Sequence, residues 1–558
     1  MKINNIIVKV FTLLVLLATT IGCDDEAFLN EEPKTFYTTN NIFSSDTQLD
    51  QVIITMYSRL RNFELTNAQI QGVGTDVLDV PEFRISNTFS DYSKINAESS
   101  NFRNVYDFYY ELIATANTAL SAIEEEGISF ESEDKKAYLI AQARFFRGYA
   151  HGMLGELFGG VPIVTEVAKE PRFDYVRSTR EETYGFAIDE LEAIVDDLPE
   201  TTTQGGRLVK GVAQHYLSEF YLALGIETSN ESAYDQAIKY ASDVIDGGTY
   251  SLMTERFGAR VDEENTVTGG ADVWWDLFRN GNINYSDGNR ESIWTFQVDF
   301  DAYIQEDGQS VINYPRYFAP VYRAIEGFDG VGDDAGGRGV AFYAPSPLTQ
   351  DILWDESVSA GDQRNAEHNI SRKIFYNDPV NYPELAGQQV PQDVIDETNE
   401  GRGWIFPIFY KLNTDKFDGL DQGENRSNIF RDKYALRLPE TILLRAEAYH
   451  RKGENQLAAN DINLIRSRAQ CDILATADDI DIDYILDERA RELFVEESRW
   501  NTLLRMGGTV ATDRIKEYAL HPHVALTLNF DYNLWPIPQS AIDRNKDVKM
   551  EQNPGWNR

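Results

Sequence analysis

The stretch Leu139-Ile140-Ala141-Gln142-Ala143-Arg144-Phe145-Phe146-Arg147-Gly148-Tyr149-Ala150-His151-Gly152-Met153-Leu154-Gly155-Glu156-Leu157 decides the fold. Leu139, Ala143, Phe146, Ala150, Met153 and Leu157 recur every three or four residues, which predicts one apolar face on a long helix. The same spacing appears on both sides. Leu49, Ile53, Met56 and Leu60 mark a helix within 47–62. Tyr109, Leu112, Ala116, Leu120 and Ile123 mark the helix before the quoted stretch. Ser178-Thr179-Arg180-Glu181 has capping-box spacing, in which Ser and Glu satisfy each other's free backbone N–H groups. It opens a helix with Tyr184, Ile188, Leu191, Val195 and Leu198. Ala213, Leu217, Phe220 and Leu224 form the next, and Tyr234, Ile238, Ala241 and Ile245 another, stopped by Gly247-Gly248. Pro439 starts a helix carrying Ile442, Leu443, Ala446 and Tyr449, and Ala458, Ile462, Ile465 and Ala469 form its partner.

Helices joined by short glycine-bearing turns predict stacked hairpins, because one hairpin cannot bury its apolar stripe alone. Phe145 to Ala150 is similar to the small/aromatic packing code of tetratricopeptide repeats, although the spacing is not a constant 34 residues. The expected fold class is mainly α: stacked tetratricopeptide-like hairpins with a loop-rich part containing short strands. Ile293 to Phe300 alternates, with Trp294, Phe296, Val298 and Phe300 on one side, and predicts a half-buried strand. Residues 301–432 are rich in Gly, Asn, Asp and aromatics and read as loops. Ile485 to Arg505 reads as one helix, with Leu486, Leu493, Trp500 and Leu504 buried. Arg489, Glu492, Glu496 and Arg499 stand three or four apart and are expected to pair along its flank. Leu534-Trp535-Pro536-Ile537-Pro538 must be extended, since each proline pushes its predecessor out of the helical region.

At the front, Lys2 and Lys9 precede an apolar run, Val10 to Ala18, and small residues lead to Gly22-Cys23. That is the layout of a secretory signal, and the run is too short for a ~30 Å hydrocarbon layer. A cysteine in this position resembles a bacterial lipobox, with cleavage before Cys23 and lipid on its thiol. The expected divisions are a signal peptide at 1–22, a lipidated tether at 23–46, a helical hairpin array at 47–270, a loop-rich ligand-binding part at 271–434, and a C-terminal hairpin, long helix and tail at 435–558.

The formal net charge of the 558 residues is −40. Such a surface repels phosphate backbones and anionic headgroups, so nucleic acid is not an expected partner. The second cysteine, Cys471, has no partner if Cys23 is acylated, so no disulfide framework is expected. No zinc-binding or phosphate-loop pattern and no Gly-x-Ser-x-Gly elbow occurs. Gly330-Val331-Gly332 does not follow a strand and open a helix, so it is not a dinucleotide site. The run Asp478, Asp479, Asp481, Asp483 lies just before a helix, where negative charge is favourable; calcium is the weaker reading. No metal, no cofactor and no catalytic set is expected.

Several phrases, in order over nearly the whole chain, resemble the SusD/RagB outer-membrane lipoproteins of Bacteroidetes. They are Phe28-Leu29-Asn30-Glu31-Glu32-Pro33, Ala116-Asn117, and Arg144-Phe145-Phe146-Arg147 running into Gly159-Gly160-Val161-Pro162. They continue with Asn289-Arg290-Glu291-Ser292-Ile293-Trp294, Leu444-Arg445-Ala446-Glu447-Ala448, Glu488-Arg489-Ala490-Arg491-Glu492-Leu493 with Arg499-Trp500, and Pro536-Ile537-Pro538 with Gln552-Asn553-Pro554-Gly555-Trp556. The resemblance implies four tetratricopeptide-like hairpins, a variable ligand-binding part and a lipid anchor in the outer membrane, facing outward. It also implies a SusC-like TonB-dependent transporter as partner, and a nutrient, mostly an oligosaccharide, as ligand. Asp24-Asp25-Glu26 resembles the family's acidic surface-export signal.

A sugar site needs flat apolar faces against ring C–H groups and a few polar groups that fix orientation. The loops at 72–101 and 301–330 offer both. The candidate contacts are Tyr92, Tyr314, Tyr317 and Trp404 for stacking, with Asp76 and Arg338 as polar groups. Trp274 and Trp275 sit beside Leu277-Phe278 and read as core. Two rival functions remain. A surface-anchored glycoside hydrolase needs two carboxylates ~5–9.5 Å apart across a cleft. A helical-repeat scaffold binds only proteins.

Overall fold

The computed structural model describes residues 43, 45–66, 72–85, 88–124, 128–305, 311–328, 337–415 and 428–556. The signal, Cys23, most of the tether and Gly330-Val331-Gly332 lie outside them. Eight helices form the scaffold: α1 (Asp46–Thr66), α2 (Ser100–Ile123), α3 (Glu133–Phe158), α4 (Arg180–Glu192), α5 (Lys210–Thr228), α6 (Glu231–Ile245), α7 (Leu438–Arg451) and α8 (Asn455–Arg468). Each packs on the next, giving four hairpins in a row. The contact of α6 with α7 spans the whole of residues 246–437. Among the described residues no helix is long and apolar enough to cross a membrane.

The quoted stretch lies at the centre. All six residues of its apolar face are buried in α3. Small residues let its neighbours close in. A Cβ at Gly152 would stand 2.1 Å from the Phe220 ring of α5, and one at Gly225 would stand 2.4 Å from the Tyr234 ring of α6. On the polar side, Arg144 and Arg147 each reach Glu190 of α4 at 2.8 Å, and Arg147 donates to Asn117 of α2 at 3.0 Å. The family-like phrases Ala116-Asn117 and Arg144-to-Arg147 are therefore one cross-helix joint. The cap of α4 falls one residue later than its spacing suggested. Thr179, not Ser178, accepts from the Glu182 N–H at 3.1 Å, and Glu182 accepts from the Thr179 N–H at 2.7 Å. Ser178 is instead held by Val161, whose carbonyl accepts its N–H at 3.1 Å.

Among the described residues six short strands lie outside the array: β1 (Leu78–Asp79), β2 (Ser292–Phe296), β3 (Ala344–Pro345), β4 (Ile370–Ser371), β5 (Ile408–Phe409) and β6 (Lys433–Arg437). They pair antiparallel as β1–β3, β2–β6 and β4–β5. The strand expected over 293–300 ends at Phe296, and all five of its residues are buried. It is covered on both sides, because Thr295 turns inward to donate to Asn284 Oδ1 at 2.8 Å. Trp274 and Trp275 are core.

The helix expected over 485–505 is two helices, α9 (Ile482–Leu493) and α10 (Arg499–Arg505), parted at Phe494–Ser498, where Val495 takes φ +58°. Asp481 caps α9, accepting from the Tyr484 N–H at 2.8 Å. The turn aims charges into the interior instead of along a flank. Glu492 meets Arg364 and Arg437, each at 3.0 Å, and also Arg468. Glu496 meets Arg437 and Lys411, both at 2.7 Å. Glu497 meets Arg489 at 2.6 Å and Arg499 at 2.9 Å. Arg437 also holds Glu291 at 2.8 Å. Arg489 also meets Glu440 of α7 at 3.4 Å, Arg499 meets Asp76 at 2.6 Å, and Arg468 of α8 lies 3.7 Å from Glu291, so the four charges of the expected flank pair across elements and tie the loop-rich part to the array. The surrounding arginines hold Glu492 down to about 2 despite its burial. Such a network contributes little net stability over an apolar core, but removing one partner costs about 3–5 kcal/mol. The tail is extended through Pro536–Pro538. Trp535 lies buried against Phe102 and Phe158, and its backbone N–H donates to the Leu157 carbonyl at 2.7 Å.

Candidate functional site

The loop at 72–85 leaves α1 through Gly72 and Gly74, both at positive φ; a Cβ on Gly74 would stand 2.4 Å from Phe89 Cβ. Asp76 then pins it. Its carboxylate receives Arg499 Nε at 2.9 Å, Arg499 Nη2 at 2.6 Å and Arg514 Nε at 2.7 Å. The two guanidinium groups hold Asp76 well below the usual carboxylate range although it is 0% exposed. Strand β1 pairs with β3, which joins this loop to residues 338–345. The Asp79 carboxyl is buried, with the Val80 N–H at 2.7 Å as its only hydrogen-bond donor among the described residues, and burial raises it to about 7.

Past Pro81, the turn Glu82–Arg84 brings Phe83 and Arg84 out of the core. The Phe83 N–H donates to the Arg402 carbonyl at 3.1 Å, which brings in a second loop. Trp404 stands there with its ring edge-on to Phe83, centroids 5.4 Å apart, and its Nε1–H donates to the Thr398 carbonyl at 3.1 Å. A third contribution comes from the short helix Tyr314–Phe318 and the segment beside it. The Tyr343 N–H donates to the Tyr317 carbonyl at 3.0 Å, and Tyr317 meets the Phe342 ring edge-on at 5.6 Å. Arg84 closes the row. Its guanidinium lies 4.7 Å from the Phe83 centroid and 4.2 Å from that of Phe342. The result is a platform, Trp404–Phe83–Arg84–Phe342–Tyr317, whose rings are half-buried except Phe83, which is 39% exposed. The rings are partly exposed while the backbone around them is tied down. That arrangement suits stacking on a sugar ring, since little ordering entropy is lost on binding.

The structure brings together Tyr317 and Trp404 of the sequence candidates. Arg338 is half-buried nearby, next to Gly339, whose carbonyl accepts from Arg323. Burial removes the other three as contacts. Asp76 is consumed by its two arginines. Tyr92 is 1% exposed, its hydroxyl donates to the Gly74 carbonyl at 2.8 Å and its ring packs on Tyr532. Tyr314 is 4% exposed and packs on Phe318 beneath Lys433. These three shape the platform from below. Sequence reasoning missed Arg84, Phe342 and Arg402 and did not select Phe83. One signal was available: Phe83-Arg84, Arg316-Tyr317 and Arg402-Gly403-Trp404 each set arginine beside an aromatic residue in a loop.

Hollows also lie on the scaffold. A groove of about 510 Å³ runs between α2, residues 162–175 and the tail, lined by Tyr106, Tyr110, Phe173 and Tyr175. A cleft of about 830 Å³ lies between the ends of α4 and α6, but its walls are largely charged, with Lys210 paired to Asp196 and Lys239 to Asp243. In the groove, the Tyr110 hydroxyl is spent on the Pro162 carbonyl at 2.8 Å. Neither draws on the loops that carry the platform.

The chain matches the family described as "Starch-binding associating with outer membrane" over residues 27–222 and the SusD family over residues 177–556. It is similar to SusD-like protein P2 of Formosa agariphila, with 24% identity covering 98% of this chain and 99% of that one. It is similar to the starch-binding protein SusD of Bacteroides thetaiotaomicron, with 25% identity covering 75% and 72%. Among solved structures, a laminarin-binding SusD-like protein superposes with a TM-score of 0.64 at 19% identity, covering 92% of this chain and all of that one.

Proposed function

Since the chain belongs to the SusD family, we propose that it is a cell-surface nutrient-binding lipoprotein of the outer membrane. It is anchored through Cys23 and faces outward. It binds an oligosaccharide on the platform and delivers it to a SusC-like TonB-dependent transporter. It is a binder, not an enzyme, as are the relatives whose names state a function. The observation that carries this reading is the row of half-exposed rings, Trp404, Phe83, Phe342 and Tyr317, drawn from three separate loops onto one rigid surface. Tyr317, Trp404 and Arg338 are kept as ligand contacts, and Phe83, Arg84 and Phe342 join them. Modest stacking energy of about 1 kcal/mol per ring suits a ligand that must be released again.

The test is electrophoresis of the mature protein through gels containing single polysaccharides. At least one glycan is expected to retard it, and Trp404→Ala and Phe83→Ala are expected to abolish the retardation. New reducing ends in the gel would establish the hydrolase instead. Mobility unchanged by every glycan, with no shift in melting temperature, would leave only the protein-binding scaffold.

A further inference from the structure

We propose that the glycan taken by the platform is anionic, an oligosaccharide carrying carboxylate or sulfate groups; this rests on the binding reading above and narrows it. The chain has 91 acidic residues against 51 basic ones, so a free guanidinium group should be scarce. In the interior Arg364, Arg437 and Arg499 are matched to carboxylates, while Arg431 is held by the Phe278 and Lys411 carbonyls. The platform is different. Arg84 is sandwiched by Phe83 and Phe342, Arg316 lies 5.8 Å from the Phe342 centroid, and Arg402 lies 4.5 Å from that of Trp404. Arg323 stands behind them and gives one N–H to the Gly339 carbonyl. Among the described residues none of these four forms an ion pair. Glu82 and Glu400, which flank them in sequence, pair with none of them. Arg84 Nε is buried with no hydrogen-bond partner among the described residues.

Four cations gathered on one face of a chain with net charge −40 repel one another, and stacking on rings does not neutralise them. Burial lowers the Arg84 and Arg323 guanidinium groups, and the charge of Arg338 lowers Arg323 further. An anion placed among them removes that cost. A guanidinium fork matches a carboxylate or sulfate through two parallel N–H bonds, which a neutral hydroxyl cannot accept equally well. The rings then supply the apolar half of the same grip. Trp404 and Phe83 take a sugar face while Arg402, Arg84 and Arg316 take its charged substituents. The surrounding negative surface repels anionic chains everywhere else, so it directs them to this patch.

Three glycan classes separate the possibilities: a polyuronate, a sulfated galactan and a neutral glucan, each titrated by calorimetry. Binding of the polyuronate, the sulfated chain or both is expected, and the preferred arm identifies the anion. Raising NaCl from about 50 to about 500 mM should weaken it at least severalfold. Arg84→Gln should lower affinity about tenfold or more, the loss expected for one charge-assisted hydrogen-bonded pair. Arg316→Gln and Arg402→Gln, on exposed side chains that leave folding intact, should each lower it severalfold. The proposal is overturned if the neutral glucan binds, Trp404→Ala abolishes that binding and the three arginine variants leave it unchanged; the platform would then stand while its anion preference fell. It is equally overturned if an anionic glycan binds with no dependence on salt or on these arginines. Failure of all three classes to bind overturns the binding reading itself.

Discussion

Replacing Asp76 with alanine removes one carboxylate from between two buried guanidinium groups, and the cost can be worked from the contacts. Arg499 loses two of its bonds, those at 2.9 and 2.6 Å, but retains Glu497 at 2.9 Å. Arg514 loses the bond at 2.7 Å but retains Asp487 at 2.7 Å and Asp483 at 3.0 Å. Neither cation is stranded, so the expected loss is at the lower end of the range for breaking a buried pair, about 3 kcal/mol. With unfolding entropy of about 2.1 cal/mol/K per residue, that is a fall of only about 3 °C in melting temperature. Denaturant titration is the better assay: the midpoint should fall while the slope stays constant. A pH series adds a second check. The folded carboxyl lies well below its unfolded value of 3.8. Its contribution is therefore present above that value and is lost as pH falls through and below it. The gap between wild type and Asp76→Ala should close in acid. A loss below about 1 kcal/mol at pH 7, or a gap that persists unchanged at low pH, would refute the reasoning that this pair pins the loop beneath Phe83.

Asp79→Asn should do the reverse. Its carboxyl titrates at about 7 when folded against 3.8 when unfolded, so stability drains as pH rises between those values. The amide keeps the bond from Val80 and should gain at least about 1 kcal/mol at pH 8, an advantage that vanishes below pH ~4. Gly152→Ala should cost about 1–3 kcal/mol by driving a methyl group into Phe220, read as an earlier midpoint. Phe220→Leu in the same chain should return part of that loss, whereas a Gly152→Ala variant of wild-type stability would show that α3 and α5 can move apart freely.

The array was legible because its signal is local. Tyr109 to Ile123 and Leu139 to Leu157 repeat within one helix each, and the buried faces follow that spacing. The break at Phe494–Ser498 was hidden by the same rule. Leu493 and Trp500 stand seven apart and both are buried, so the apolar pattern runs on while the backbone turns at Val495. What forces the turn is the demand of Arg437 and Lys411 for Glu496, and those partners come from other elements. The site shows the same limit. Asp76 looked like a loop residue open to a ligand because its partners, Arg499 and Arg514, lie more than four hundred residues away. Tyr317 and Trp404 could be found because aromatic residues in loops are conspicuous. Phe83 and Arg84 gain meaning only when β1 meets β3 and the loop touches Arg402.

Helices α6 and α7 meet as though residues 246–437 did not intervene. The detour leaves and rejoins the scaffold at neighbouring points, so its length is a weak thermodynamic variable: doubling a closed excursion costs only about 0.6 kcal/mol in chain entropy. The intervening residues can therefore be rebuilt or enlarged while the stack that carries them keeps its geometry. Any replacement must again present an acid where Glu291 sits, facing Arg468 of α8, and bases where Arg364 and Lys411 sit, facing Glu492 and Glu496, because those are the fastenings that the rest of the chain offers it.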